Sequence, residues 1–213
     1  MAEKKIAVIC GSTRKKRIGL QVTKFVMSVL ETQLAPVDGT SFSIHLVDIE
    51  AFNLPLFDEE VHPATVPAMA QFQHEHSLKW SAEIAKYDGY VIVTACYNGG
   101  TPGAIKNAID YLYNEWIGKP IYIISYGIQG GKTAAESLKI TFNIMKLRVV
   151  ATMPALRFPG DIIPAYGVPM TAVQAMSGQL AEESLASWAD QKDEISKGFG
   201  ELKEMLMAPP EKA

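Results

Sequence analysis

The sequence predicts a doubly wound α/β domain, a parallel sheet with helices on both faces, and three observations carry that reading. Short apolar runs that stop at glycine or a turn cluster alternate with amphipathic helical stretches along the chain, the pattern of parallel strands covered on both sides. The chain has 213 residues, 48% of them hydrophobic, enough for one domain with its own core. No internal repeat or low-complexity segment occurs, and no domain boundary precedes the proline- and glycine-rich stretch 158–169.

Residues 6–10, Ile-Ala-Val-Ile-Cys, form the expected first strand and stop at Gly11. Ile18, Val22, Phe25, Val26, Val29 and Leu30 then recur at helical spacing. Past a turn-forming segment at 35–40, alternation over 42–49 marks a second strand. The proline- and acid-rich stretch 51–67 reads as a surface loop in which Asp58, Glu59 and Glu60 are solvated. A helix over about 68–86 leads to the strongest strand signal, residues 89–96. Ile105, Ala108, Ile109 and Leu112 give a third helix, 121–126 a fourth strand, 132–145 a fourth helix and 148–152 a last strand. One or two terminal helices are expected from Thr171 to about Met205, broken near Gly178. The domain is drawn over 1–206 with a helical extension from about 171, and 207–213 as a disordered tail.

Lys and Arg number 20 against 23 Asp and Glu, a net charge of -3, which lacks the footprint that nucleic acid or an anionic membrane demands. No apolar run approaches the ~20 residues of a membrane helix, and the residues after Met1 lack a signal-peptide pattern. Two cysteines, Cys10 and Cys96, stand far apart in apolar surroundings and read as packed thiols of a reducing compartment. The expectation is a cytoplasmic protein with neither nucleic acid nor membrane as a partner.

In an open parallel sheet, ligands bind beyond the carboxyl ends of the strands. That directs attention to three loops, 11–19, 97–103 and 127–131, each rich in glycine or small polar residues. The first, Gly11-Ser12-Thr13-Arg14-Lys15-Lys16-Arg17-Ile18-Gly19, opens a helix whose free N–H groups favour an anion. Ser12 and Thr13 add hydroxyl donors, and Arg14 and Arg17 add planar forks suited to phosphate; Lys15 and Lys16 read as solvated. The third loop falls one residue short of a Walker A spacing, because Tyr126 stands where its first glycine belongs. The second has Asn98 where a dinucleotide fingerprint needs glycine. A phosphate clamp beside two backbone-lined walls, with Tyr97 as an apolar face and Asn98 as an amide, suits a mononucleotide with a large planar ring. A flavin fits best, since backbone N–H groups can stabilise the negative charge of its reduced ring.

These residues carry a resemblance. Gly11-Ser12-Thr13-Arg14 with Arg17 and Gly19, Leu54-Pro55-Leu56-Phe57-Asp58, the run from Tyr97-Asn98-Gly99-Gly100 through Pro102-Gly103 to Ile105-Lys106-Asn107-Ala108, and Ser125-Tyr126-Gly127 with Gly130-Gly131 resemble the NADPH-dependent FMN reductase family over roughly 5–154. The resemblance implies a flavodoxin-like five-stranded sheet in the order 2-1-3-4-5 and non-covalent FMN. It also implies NAD(P)H as co-substrate, a quinone, free flavin, azo dye or metal ion as acceptor, alternating half-reactions, and a homodimer or homotetramer. It assigns the FMN phosphate to Ser12, Arg14, Arg17, Ile18 and Gly19. The isoalloxazine falls to Tyr97, Asn98, Gly99 and Gly100 on one side and to Ser125, Tyr126, Gly127, Gly130 and Gly131 at the other edge. The chain departs from the family at Ala95 and Cys96, where members carry proline and an acidic or amide residue.

No side chain emerges as an obligatory acid, base or nucleophile, and no metal site is expected. His74 and His76, two apart, point in different directions if both lie on one helix. His45 reads as a polar edge residue, and Tyr111, Tyr113 and Trp116 as core or interface aromatics. Two other readings stay open on the residues: a flavodoxin-type electron carrier without NAD(P)H activity, and a non-redox regulatory protein on the same fold.

Overall fold

A computed structural model of the protein describes residues 2–67 and 72–208. Strand β1 (Ala2–Cys10) is followed by helix α1 (Gly19–Glu31), β2 (Thr40–Asp48), α2 (Glu75–Ala85), β3 (Gly89–Ala95), α3 (Gly103–Asp110), β4 (Pro120–Gly127) and α4 (Lys132–Ile144). The apolar runs become central strands because successive side chains enter opposite layers and both layers are dry. Ala7, Ile9, Tyr90, Ile92, Ile121 and Ile123 meet α2, α3 and α4 on one face. Ile6, Val8, Val91, Val93, Tyr122 and Ile124 meet α1 and the terminal helices on the other. The strands pair in parallel in the order β2-β1-β3-β4-β5. The expected flavodoxin-like order is therefore the observed one, and it puts the switch in winding direction between β1 and β3.

Several expectations need correction. The last strand, expected over 148–152, is split into β5 (Arg148–Val149) and β6 (Ala155–Arg157), both parallel to β4 along one edge. Pro154 has no N–H to give a ladder, and Glu201 takes the N–H and hydroxyl of Thr152 at 3.0 and 2.6 Å. The stretch 158–169 holds a small hairpin, β7 (Ile162–Ile163) and β8 (Val168–Pro169). Three terminal helices follow rather than one or two: α5 (Met170–Met176), α6 (Glu182–Ala189) and α7 (Lys192–Met207). Trp188, Ile195, Phe199 and Leu202 are fully buried against the sheet, with the Tyr122 hydroxyl bonded to the Ile195 carbonyl at 3.1 Å. Met207 is helical, so the expected tail begins late; 209–213 lie outside the described residues.

Further corrections concern the acidic loop and the helix after it. Glu59 is buried and accepts from the N–H groups of Gln73 and His74 at 2.9 and 3.0 Å, which starts α2 at Glu75. The helix expected from 68 thus begins seven residues late, and 68–71 lie outside the described residues. His74 sits at the extended cap position, so its ring stacks on His76 at 5.2 Å and both face Asp58, not opposite directions. Asp58 also accepts from the Tyr111 hydroxyl at 2.8 Å. Tyr111 and Trp116 are core residues, and His45 lies on edge strand β2.

Candidate functional site

The three loops converge at the carboxyl ends of β1, β3 and β4, around a cavity of about 660 Å³. The second loop is a two-residue hairpin. Tyr97 and Gly100 exchange N–H···O bonds at 3.0 Å, with Asn98 and Gly99 at φ +51° and +77°. That turn type favours Asn-Gly for its left-handed backbone, so Asn98 has a conformational reason to be there besides any amide contact. In the third loop Gly130 and Gly131 both hold positive φ, and a Cβ on Gly130 would stand 2.8 Å from the Ala155 carbonyl oxygen.

Helix α1 opens without a side-chain cap or an acidic residue in its first turn, so its N–H groups and dipole face the cavity uncompensated. The Arg14 guanidinium lies over the Tyr97 ring at 3.5 Å, a cation–π stack at an exposed site. Tyr97 in turn shares a 2.9 Å hydrogen bond with the buried Ser12 hydroxyl. The two forks expected to act together are divided. Arg17 pairs bidentately with Asp48 at 2.8 and 2.6 Å and donates to the Ser12 carbonyl. That pairing, more than burial opposes it, holds its guanidinium above the usual arginine range. Arg17 therefore clamps the loop to the end of β2, while Arg14 lines the cavity with no carboxylate partner among the described residues.

Of the expected site residues, Arg14, Arg17, Ile18, Tyr97, Asn98, Gly99, Tyr126, Gly127 and Gly131 line the cavity. Ser12, Gly19, Gly100, Ser125 and Gly130, also expected at the site, are not among the residues that line it. Ser125 gives its hydroxyl to the Gly130 carbonyl at 2.7 Å, and the Tyr126 phenol, raised above its ordinary range by burial, stands 3.0 Å from where a Gly19 Cβ would be. Lys16, read as solvated, also lines the cavity, as do Lys132 and Thr133 at the start of α4. Cys96 is not packed away like Cys10: it lines the cavity with its sulfur 3.3 Å from the Thr133 hydroxyl. A whole wall went unread, made of Phe158 and of Gly167, Val168, Ala172, Ala175 and Met176. Its residues carry no motif, and only the return of the chain over the cavity reveals them.

Among the described residues the lining holds Arg14, Lys16, Arg17 and Lys132 and no carboxylate. Such a donor set fits a phosphate at the α1 end, and the hairpin and the glycine turn leave flat, backbone-lined flanks for a planar ring. Among the described residues no group of three or more His, Cys, Asp or Glu is placed to hold a metal ion, and no helix is long and apolar enough to cross a membrane.

Fold and site together define a flavodoxin-like mononucleotide-binding protein. The model of the NADPH-dependent FMN reductase family matches residues 4–158, and the chain belongs to that family, a family of oxidoreductases. It is 46% identical to an NAD(P)H-dependent FMN reductase of Nectria sp, over 97% of this chain and 99% of that one. It is 29% identical to a quinone reductase of Escherichia coli K12, over 84% and 90% of the two chains. An oxidoreductase of Corynebacterium diphtheriae superposes with a TM-score of 0.64 at 16% identity, covering 97% of this chain and 98% of that one, which shows a shared fold.

Proposed function

We infer that the protein is an FMN-dependent oxidoreductase that takes reducing equivalents from NAD(P)H and delivers them to a quinone-like acceptor in alternating half-reactions. The observation that carries this reading is the convergence of the uncapped start of α1, the hairpin at Tyr97 and the glycine turn at 127–131 on one cavity that no carboxylate lines among the described residues. The names of the Nectria and Escherichia coli relatives support the donor and the acceptor class.

FMN, when bound, would supply the two-electron chemistry: a ring able to take hydride from NAD(P)H and to give hydride, with a proton from solvent, to the acceptor. The chain supplies binding and orientation. Arg14 and the first N–H groups of α1 hold the phosphate, with Ser12, Arg17, Ile18 and Gly19 shaping that end. Tyr97, Asn98, Gly99 and Gly100 flank the ring, and Tyr126, Gly127 and Gly131, backed by Ser125 and Gly130, hold its other edge. Backbone N–H groups on those turns stabilise negative charge that develops on the ring, without a side-chain acid or base. The functional unit is residues 1–206, assembled as a homodimer or homotetramer in the cytoplasm.

The test is the visible spectrum of the purified protein before and after anaerobic NADPH. A flavin spectrum that bleaches, and returns on adding a quinone, is the expected result, with parallel lines in initial-rate plots. Flavin that NADPH leaves coloured would make the protein an electron carrier, and a protein that takes up no FMN would make it a non-redox one.

A further inference from the structure

The family match ends at residue 158, and the next eighteen residues build one wall of the cavity. That wall is anchored from three sides. Phe158 donates its N–H to the Gly127 carbonyl at 3.2 Å and packs its ring 5.8 Å from Trp188, whose indole N–H bonds the Arg157 carbonyl at 2.7 Å. The Thr171 hydroxyl donates to the Pro159 carbonyl at 2.5 Å. Gln21 of α1 bonds the Gly178 carbonyl at 3.1 Å and accepts from the Leu180 N–H at 3.3 Å. The segment is thus fixed both to the glycine turn and to the helix that opens at the phosphate loop.

Its chemistry differs from the rest of the lining. Every charge in the cavity comes from the phosphate loop or the start of α4, whereas Gly167, Val168, Ala172, Ala175 and Met176 offer no charged or hydrogen-bonding side chain. The side chains of such a wall have nothing with which to recognise a phosphate, a ribose or a hydrated ion; they attract only by covering apolar surface. Met176 lines the cavity and is still 60% exposed, so an apolar, adaptable side chain stands at the mouth with part of its surface in water.

We propose that the segment from Gly167 through α5 is the acceptor-sorting wall of the site, with Met176 as its selecting residue, favouring uncharged planar acceptors over anionic ones. This rests on the function proposed above and deepens it: the FMN seat lies within the family-matched loops, and the added wall governs what stands over it.

The test is equilibrium dialysis of the oxidised, FMN-loaded protein against an uncharged naphthoquinone and its sulfonated analogue, a binding measurement in which no electrons move. Wild type and Met176→Leu should prefer the uncharged ring alike. Met176→Lys should shift the preference toward the sulfonate by about tenfold, as a partly solvated cation beside a bound anion requires. Ile162→Lys, which places the same charge on exposed β7 outside the cavity lining, should leave the preference unchanged. The proposal is overturned if Met176→Lys and wild type discriminate equally, if Ile162→Lys shifts the preference as much, or if Met176→Lys loses its FMN, which would make the wall part of the flavin seat. Wild type that retains no FMN would instead sink the parent function, so the two failures are told apart.

Discussion

Cations gather at both ends of the sheet and are used differently. At the amino end a second cavity, about 500 Å³, is lined by Lys4, Asp88, Lys119 and Arg148. There Lys4 pairs with Asp88 at 3.2 Å, Lys119 donates to the Tyr90 hydroxyl at 3.0 Å, and the Arg148 Nε donates to the Gly118 carbonyl at 2.9 Å. At the carboxyl end Arg14 lies on an aromatic face, and no carboxylate lines the cavity beside it. The first set ties strand starts together; the second faces a cavity lined by no carboxylate among the described residues. Arg17 is the exception that sharpens the contrast, a carboxyl-end cation already committed to Asp48.

The largest effect should come from the glycine turn, which must keep its shape for the carboxyl-end cations to have a site. Gly130→Ala puts a Cβ on a left-handed backbone and against the Ala155 carbonyl, so it should cost about 3 kcal/mol in denaturant unfolding and reduce FMN retention. An unchanged midpoint would contradict that geometry. Next, Arg17→Met should lower stability by about 1–2 kcal/mol by stranding the half-buried Asp48 carboxylate. Arg14→Ala should move the unfolding midpoint by no more than about 0.5 kcal/mol while weakening FMN about tenfold in a fluorescence titration. If the two variants behave alike, the division of labour between the forks is wrong.

The smallest effect belongs to the amino end. Burial holds Lys119 below the usual lysine range, only partly offset by the charges of Asp88 and Glu115. The unfolded chain therefore binds that proton more tightly than the folded one. Stability gains from this residue as pH rises through its folded value toward the ordinary ~10.4. The buried tyrosines, raised by burial, act in the opposite sense above ~10. Lys119→Met should lack the gain below that point, seen as a flatter stability profile than wild type, with FMN content the same. A fall in FMN content would mean the two ends are not independent.

Much of this was legible in the residues. Continuous apolar runs mark strands buried on both faces, and the glycine and arginine that follow them mark the ligand-facing ends, so the sheet and its three loops could be read in order. What went unread has a common cause. Arg17 stands three residues from Arg14 along the chain, yet its partner Asp48 is 31 residues away at the end of β2. Glu59 looked solvated among acids, yet it starts a helix 16 residues later by accepting two backbone N–H groups. The added wall carries no periodicity long enough to show, since β7 and β8 have two residues each.

Local chemistry alone determined the alternation of strands and helices, the turn at Asn98-Gly99 and the anion-favouring start of α1, because each depends on residues within a few positions of one another. Which arginine is available, which acid is buried, and that residues beyond 158 close over the cavity were decided only in three dimensions. Those outcomes depend on contacts between distant segments, and hydrogen-bond donors and carboxylates choose partners by where the packed sheet and helices bring them.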